Sequence, residues 1–402
     1  MTKVMFLSSS LPIEIYIMFL LSSTHTGRII FGAIMLVSLT VITGLQAPIG
    51  KIIDSMKRKT IVQIIQGSSS IAEVLIFIVW NFWQVSPILI LSALMIYLDV
   101  SETFYFDAMR ALLQTISESG LYVRSNGLSE ISGQLPSIIG PIMAIPLLHF
   151  LGPRTALVVA ALLASVSLIP LWYLRDDYRP TKNTRHGVDG MTGTISVIRR
   201  FPKQIALIYL LNFPFIMVTV GNLVKPVFIV NVIHGGVADI SLSEIDYAAF
   251  AAITGLFMAI FPSRREMTNT FIFFLIYLAG LILMPFSSSF VAFLLFQSLH
   301  GIGNPGTRIN RNSLVMKYVP RDLQGRFSSG VSLFSTITRM TILAVFTVEI
   351  DRVSSIDLFL AMSAITVLAM AIALVLKGGT NLWSIAETYD EASGKPRTDS
   401  GS

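Results

Sequence analysis

Long apolar runs separated by short polar breaks pattern the chain from end to end, and none alternates with the period of two that a barrel strand needs. A run of about 20 apolar residues, coiled as a helix, crosses a hydrocarbon core roughly 30 Å thick. Backbone amides in lipid need partners inside their own segment, so the runs predict helices. The expected spans cover residues 4–22, 28–49, 60–80, 87–114, 126–149, 154–174, 204–231, 243–262, 269–286, 289–316, 326–348 and 355–376, twelve in all. The predicted fold class is an all-α integral membrane protein whose first partner is the lipid bilayer.

Composition agrees: charged residues are 13% of the 402 and apolar types 53%, against about 25% charged in soluble domains. The net charge of +6 would point to nucleic acid in a soluble chain. Here the bases sit in the breaks, so no nucleic-acid partner is expected. One set of connections holds Lys51, Lys57, Arg58, Lys59, Arg124, the 175–203 group, Arg264, Arg265, Lys317, Arg321 and Arg326; the other shows Arg28, Arg154 and Arg352. That asymmetry predicts a multi-pass protein of the plasma (cell) membrane with both termini cytoplasmic. The first span is followed by THTGR, not by a small-residue cleavage site, and is expected to be a retained helix. With no cysteine in the sequence, disulfides, thiolate metal sites and cysteine nucleophiles are excluded.

The break at 175–203 is long, polar and basic, and it divides the spans six and six. The expected domains are an N-terminal six-helix bundle over 1–174, a cytoplasmic linker over 175–203, a C-terminal six-helix bundle over 204–376 and a small, polar, disordered tail over 377–402. A weak internal repeat supports the division: TISESGLYVRSNGLS follows span four and YVPRDLQGRFSSGVS follows span ten.

Between spans two and three lies APIGKIIDSMKRKTIV, with Gly50, Asp54 four residues later, then Lys57, Arg58 and Lys59. With FDAMRALLQTISESGLYVRSNGL, VPRDLQGRFSSG and the Gly140-Pro141 pair of span five, it resembles the major facilitator superfamily, and more narrowly its drug-efflux-like branch. Ser55 and Lys57 depart from that pattern, and Ala144 and Ile145 stand where the span-five motif has glycines. The resemblance covers residues 1–376. It implies two pseudo-symmetric six-helix bundles working by alternating access, with spans one, four, seven and ten lining a central cavity. The three bases would hold the hairpin at an anionic inner leaflet, each worth about 1 kcal/mol, and Asp54 would latch the closed state against the second bundle. Ser129, Gly133, Pro136, Gly140 and Ala144 form a small-residue stripe in span five that suits close approach of a helix from the other bundle.

Ionisable groups inside a membrane are costly unless paired or wet, so each is a functional candidate. Asp99, Glu102, Asp107 and Arg110 share one face of span four, and Gln297, His300, Asn304, Arg308 and Arg311 form a stripe along span ten. Span eleven adds Arg339; span seven adds Asn212, Thr219, Asn222 and Lys225. The expected substrate cavity is Asn212, Thr219, Asn222, Gln297, His300, Asn304 and Arg339. Asp99 and Glu102 are the candidates for proton coupling, whereas Glu73 and Glu130 are expected to be structural. Asp107 with Arg308 or Arg311 would make an inner gate, and Glu14 with Lys225 an outer one. GIGNPG at 301–306 is expected to break its helix.

The lead function is proton-coupled export of a small amphipathic compound by a monomer, with a small-molecule substrate, a proton or other coupling ion as partner, and no cofactor or metal. Uptake or exchange of an organic anion is the alternative, and a non-transporting membrane sensor the alternative of another class. Nothing supports an enzyme. His25, His149, His186, His234 and His300 lack metal-ligand spacing, and no nucleotide or nucleophile motif is present.

Overall fold

The structure is a computed structural model, and it describes residues 2–83, 85–116, 133–173, 189–261, 265–382 and 385. Nearly all of the 115–129 repeat, including Arg124, lies outside the described residues, as do Glu130, residues 175–188 of the linker and most of the tail. The side chains of Lys51, Asp54 and Arg110 are also outside them.

The apolar runs are helical. In chain order they are α1 (Thr2–Ser22), α2 (His25–Ser55), α3 (Arg58–Phe82), α4 (Pro87–Ile116), α5 (Pro136–Pro146), α6 (Gly152–Val166), α7 (Ile169–Trp172), α8 (Asp189–Arg200), α9 (Pro202–Leu210), α10 (Phe213–Asn231), α11 (Val237–Ile260), α12 (Glu266–Leu283), α13 (Phe290–Tyr318), α14 (Arg321–Glu349) and α15 (Ser355–Gly379). Several starts are fixed by side-chain caps. Thr24 Oγ1 accepts from Gly27 N–H at 3.1 Å, Ser289 Oγ from Ala292 N–H at 3.2 Å and Ser354 Oγ from Asp357 N–H at 3.2 Å, each satisfying an amide the helix leaves open.

Among the described residues, 10 segments are long and apolar enough to cross a membrane. One is Pro136–Trp172, whose 37 residues would reach about 55 Å as a single helix. It is interrupted by a π-helical turn, Leu147–Leu151, and by Gly152 at φ 79°, a backbone geometry that favours glycine. In contrast, α13 is long enough at 29 residues, but its polar stripe keeps it out of the apolar set.

In the first half α1 is central, packing on α2, α4, α5 and α6, while α3 packs on α4 and α6. In the second half α13 packs on α11 and α12, and α10 on α14 and α15. The halves meet where α2 crosses α14, α5 crosses α11, and α1 touches α10 and α11. Apolar side chains such as Ile71, Leu75, Leu368 and Val375 face outward, as a lipid-facing surface requires. Within the expected linker, α8 is an ordered helix on α14, with Gly193 close under Arg326. The end of the molecule bearing the α2–α3 and α13–α14 connections is called the basic end below. There Lys317 Nζ lies 3.2 Å from both carboxylate oxygens of Glu266, tying α13 to α12.

One packing expectation needs correction and another an addition. GIGNPG does not break its helix: α13 runs unbroken through Pro305. The glycines serve close packing instead, because a Cβ on Gly303 would fall 2.4 Å from the Tyr277 backbone nitrogen, one on Gly301 2.7 Å from the Tyr247 carbonyl oxygen, and one on Gly306 2.2 Å from the Phe273 ring. Gly140 likewise admits Leu11 of α1, from its own half, since a Cβ there would sit 2.5 Å from that side chain. The small-residue helix α5 therefore seats α1 at Gly140 and also packs on α11 of the other half, as expected of it.

Candidate functional site

The first half gathers its carboxylates. Glu14 on α1 is buried and within electrostatic reach of Asp99 and Glu102 on α4. Glu73 on α3, 1% exposed, feels Glu14 and Glu102 in turn. Ser10 Oγ, one turn before Glu14, donates to Glu102 Oε1 at 2.7 Å, and Ser38 of α2 stands beside Asp99. Glu14 Oε1 and both oxygens of Glu73 are buried without a hydrogen-bond partner. An ionised carboxylate in such a place lacks the donors that would offset lost hydration, and a bound proton removes that cost. Glu73, expected to be structural, thus joins the same cluster of buried carboxylates; its signal in the sequence is that it is the one acid of its span.

The second half holds Lys225 of α10 in its interior, 7% exposed. Its Nζ donates to Glu244 Oε1 at 2.9 Å and stands 5.8 Å over the Tyr247 ring. The expected outer pair is therefore not formed here: Lys225 reaches Glu244 on the adjacent helix of its own half, while Glu14 stays among acids. Nearby, Asn304 Nδ2 donates to Tyr247 Oη at 2.7 Å, and His300 stacks on Tyr277 with ring centroids 4.5 Å apart. Gln297 and His300 line a closed space with room for about one water, 10 Å³. Both amide atoms of Gln297 and Nε2 of His300 are buried there without a partner.

The predicted cavity residues divide. Asn212 lines a larger vestibule of about 430 Å³ between α9–α10, α13 and α14, together with Arg308, Arg311, Phe215, Val331 and Ser335. It sits where the helix breaks between α9 and α10, just ahead of Phe213 and Pro214. The break frees its side chain to cross to α14, and Nδ2 donates to Ser335 Oγ at 2.8 Å. Its Oδ1 is buried without a partner. Arg339, one turn beyond Ser335, lays its guanidinium 5.1 Å over the Phe215 ring and donates to Thr336 Oγ1 at 3.2 Å. Thr219 bonds back to the Phe215 carbonyl at 3.4 Å, and Asn222 is half-buried on the same helix. The vestibule lies toward the basic end.

The opposite end of the seam is tied shut by residues that the polar stripes did not reveal. Arg28 Nη2 donates to Asn231 Oδ1 at 2.7 Å and Nη1 lies 3.7 Å from Asp351, which also meets His25 Nδ1 at 2.5 Å. Arg28 Nε and Asn231 Nδ2 both donate to the Ser22 carbonyl, at 3.3 and 3.1 Å. Just inside, a Cβ on Gly32 would fall 2.2 Å from Thr347 Oγ1, so α2 and α14 are in backbone-close contact. The ends of α1, α2, α10 and α14 are knotted together there. Arg28 carries the sequence signal, as one of three bases on a face otherwise poor in positive charge.

At the basic end, the hairpin places Gly50 and Asp54 in the last turns of α2 and Lys57, Arg58 and Lys59 at the start of α3. Bases at a helix N-terminus oppose the macrodipole, so their value lies in what they face outside. Lys59 Nζ donates to the Trp172 carbonyl at 3.2 Å, fastening the hairpin to α7. Asp107 is half-buried on α4. Among the described residues no group of His, Asp and Glu side chains is arranged to hold a metal ion.

Similar architectures occur in solved transporters. A structure of the nucleoside transporter NupG matches with a TM-score of 0.69 at 13% identity, covering 93% of this chain and 97% of that one. A bacterial metal transporter gives 0.58 at 15%, covering 93% and 95%, and a bacterial homologue of the iron transporter ferroportin, in an inward-facing state, gives 0.63 at 16%, covering 93% and 95%. At these identities the likeness is one of fold. No curated protein sequence matches the chain significantly. The sequence profile of the Major Facilitator Superfamily aligns with residues 3–342, nearly the whole helical body that holds these sites, and the chain belongs to that family.

Proposed function

We propose that the protein is a secondary active transporter of the plasma membrane that works by alternating access. Twelve membrane helices in two six-helix bundles would form it, with α5 and α6 as separate spans, α9 and α10 as one, and α13 as the polar one. One observation carries the proposal: the seam is knotted at the Arg28 end while a polar vestibule remains at the basic end. An alternating-access protein in one of its two states is built in this way.

The basic end faces the cytoplasm on the strength of its positive charge, and both termini lie there. Lys57, Arg58 and Lys59 hold the hairpin at the inner leaflet, Asp54 latches it when that side shuts, and Asp107 closes on Arg308 and Arg311. The outer gate is the Arg28–Asn231–Asp351 knot. Glu102 and Asp99, with Glu14 and Glu73, exchange protons as their surroundings pass between dry and wet, and the cargo is a small amphipathic compound moved outward.

The test is flux in proteoliposomes with a pH dye inside. Candidate compounds should drive proton movement with the wild-type chain. Glu102→Gln should abolish proton-driven accumulation while sparing exchange of labelled for unlabelled compound. If no compound of any charge class moves protons or label, the transport proposal fails and the sensor alternative takes its place.

A further inference from the structure

Resting on the proposed cytoplasmic placement of the basic end, we infer that the outward face of α8 is a docking surface for an anionic phospholipid of the inner leaflet, its phosphate on Arg199 and Lys203 and its acyl chain along Ile195. Only Phe201 separates α8 (Asp189–Arg200) from α9, so the C-terminal end of α8 stands where the second half enters the membrane. One face of this helix is already taken. Val197 is buried, and a Cβ on Gly330 of α14 would fall 3.1 Å from Ile198 Cγ1. At about 100° per residue the opposite face carries Ile195, Ser196, Arg199 and Arg200, and these four are the described residues that line an open groove of about 510 Å³.

The chemistry of that face selects the partner. Ile195 is 42% exposed, an apolar side chain left outside beside two arginines, and Arg199, Arg200 and Lys203 crowd into residues 199–203. Arg200 holds its guanidinium 5.6 Å from the Phe201 ring. Arg199 and Lys203 are exposed, and among the described residues neither has a hydrogen-bond or ion-pair partner. No described residue lining the groove is acidic. A small soluble anion would meet the bases and leave Ile195 in water. Phosphatidylcholine would cover Ile195, but its choline cancels the charge of its phosphate. A phospholipid with a net negative headgroup satisfies both features, and basic residues just outside a membrane helix draw such lipids. Because α8 packs on α14 and α9, the bound lipid would hold the cytoplasmic end of the second half at the leaflet, as Lys57, Arg58 and Lys59 are proposed to hold the first.

With no native cysteine, a single reporter can be placed in the groove. The full chain carrying Ser196→Cys, labelled with a small fluorophore, is set in phosphatidylcholine nanodiscs that contain a rising fraction of phosphatidylglycerol or phosphatidylcholine bearing a nitroxide quencher near the top of an acyl chain. Half-maximal quenching should need about tenfold less labelled phosphatidylglycerol than labelled phosphatidylcholine. At Leu368→Cys, on the outward side of α15, the two lipids should quench alike. Arg199→Gln and Lys203→Gln, both at exposed positions, should each raise the phosphatidylglycerol requirement about fivefold, and Arg199→Lys should raise it less. Equal quenching by the two lipids at Ser196→Cys, quenching by neither, or a preference unmoved by both glutamine variants would overturn the assignment. So would loss of the preference on adding soluble glycerol phosphate at constant ionic strength, which would make the groove a site for a free phosphate. Failure of the underlying reading looks different. Labelling of Ser196→Cys in intact cells by an external, membrane-impermeant maleimide would place the basic end outside and remove the inner leaflet as the source of the lipid, and absence of flux would remove transport; neither would change the preference measured in nanodiscs.

Discussion

If the Arg28 knot is what shuts one end of the seam, Arg28→Ala should open it by a calculable amount. The bond from Arg28 to Asn231 at 2.7 Å joins an ionised donor to a neutral amide, worth about 1.5 to 3 kcal/mol net. Asp351, at 3.7 Å with its side chain 24% exposed, adds no more than about 1 kcal/mol. Water replaces part of this when the seam opens, so about 2 kcal/mol is specific to the closed state, or roughly thirty-fold in the ratio of closed to open. The absence of native cysteine makes the measurement clean. Ser22, whose side chain is fully buried in the knot, is replaced by cysteine and labelled with a membrane-impermeant maleimide. Where opening precedes labelling, the rate follows the open fraction. Arg28→Ala should therefore raise it tens of times, and Gly32→Val, which drives a side chain into Thr347, should act in the same direction by sterics alone. Equal labelling rates in the parent and both variants would show that the knot does not hold the seam.

Other consequences are direct. Because Lys225 is paired with Glu244, Lys225→Glu should reduce the unfolding midpoint and Lys225→Glu/Glu244→Lys should recover most of it in a thermal melt; recovery instead by Glu14→Lys/Lys225→Glu would reinstate the pair expected from sequence. Gly303→Ala should destabilise by about 2 kcal/mol or more, since the Cβ meets backbone at 2.4 Å and helix axes must part. Reduced yield and a lowered midpoint check it, and a midpoint equal to the parent's would show that α12 and α13 can slide apart freely.

What could be read from the sequence follows from what is local in a helix. Arg308 and Arg311 could be placed on one face, and Asp99 with Glu102, because a period of 3.6 fixes their relative directions without knowledge of neighbours. The family likeness, too, rests on contiguous motifs. Lys225 is different: its partner, Glu244, is chosen by the packing of α10 on α11. Glu73 was set aside on an expectation about which helices line the cavity, yet its direction is set by how α3 packs against α4. The glycines of GIGNPG look the same in sequence whether they break a helix or thin it for a neighbour. Only the proximity of Tyr277 and Phe273 decides. The Arg28 knot draws on four helix ends distant in the chain, so no window of sequence could contain it.

Where a charge stands relative to the seam decides whether it can respond to opening. A base and an acid fixed in one rigid half neutralise each other in every conformation, as Lys225 and Glu244 do, and cannot report which way the seam is open. Arg308 and Arg311 stand instead in the second half and Asp107 in the first, so under the proposed gate their attraction depends on how far the basic end has closed. Asp107→Asn then removes one partly exposed charge pair from the state closed at the basic end, worth up to about 1 kcal/mol, or roughly fivefold in the ratio of the two states. That state is the one in which the Arg28 end stands open, so Asp107→Asn should lower the labelling rate of the Ser22→Cys protein by about that factor, opposite in sign to Arg28→Ala. An unchanged rate would mean that Asp107 does not hold the arginine pair and that the basic end is closed by other residues.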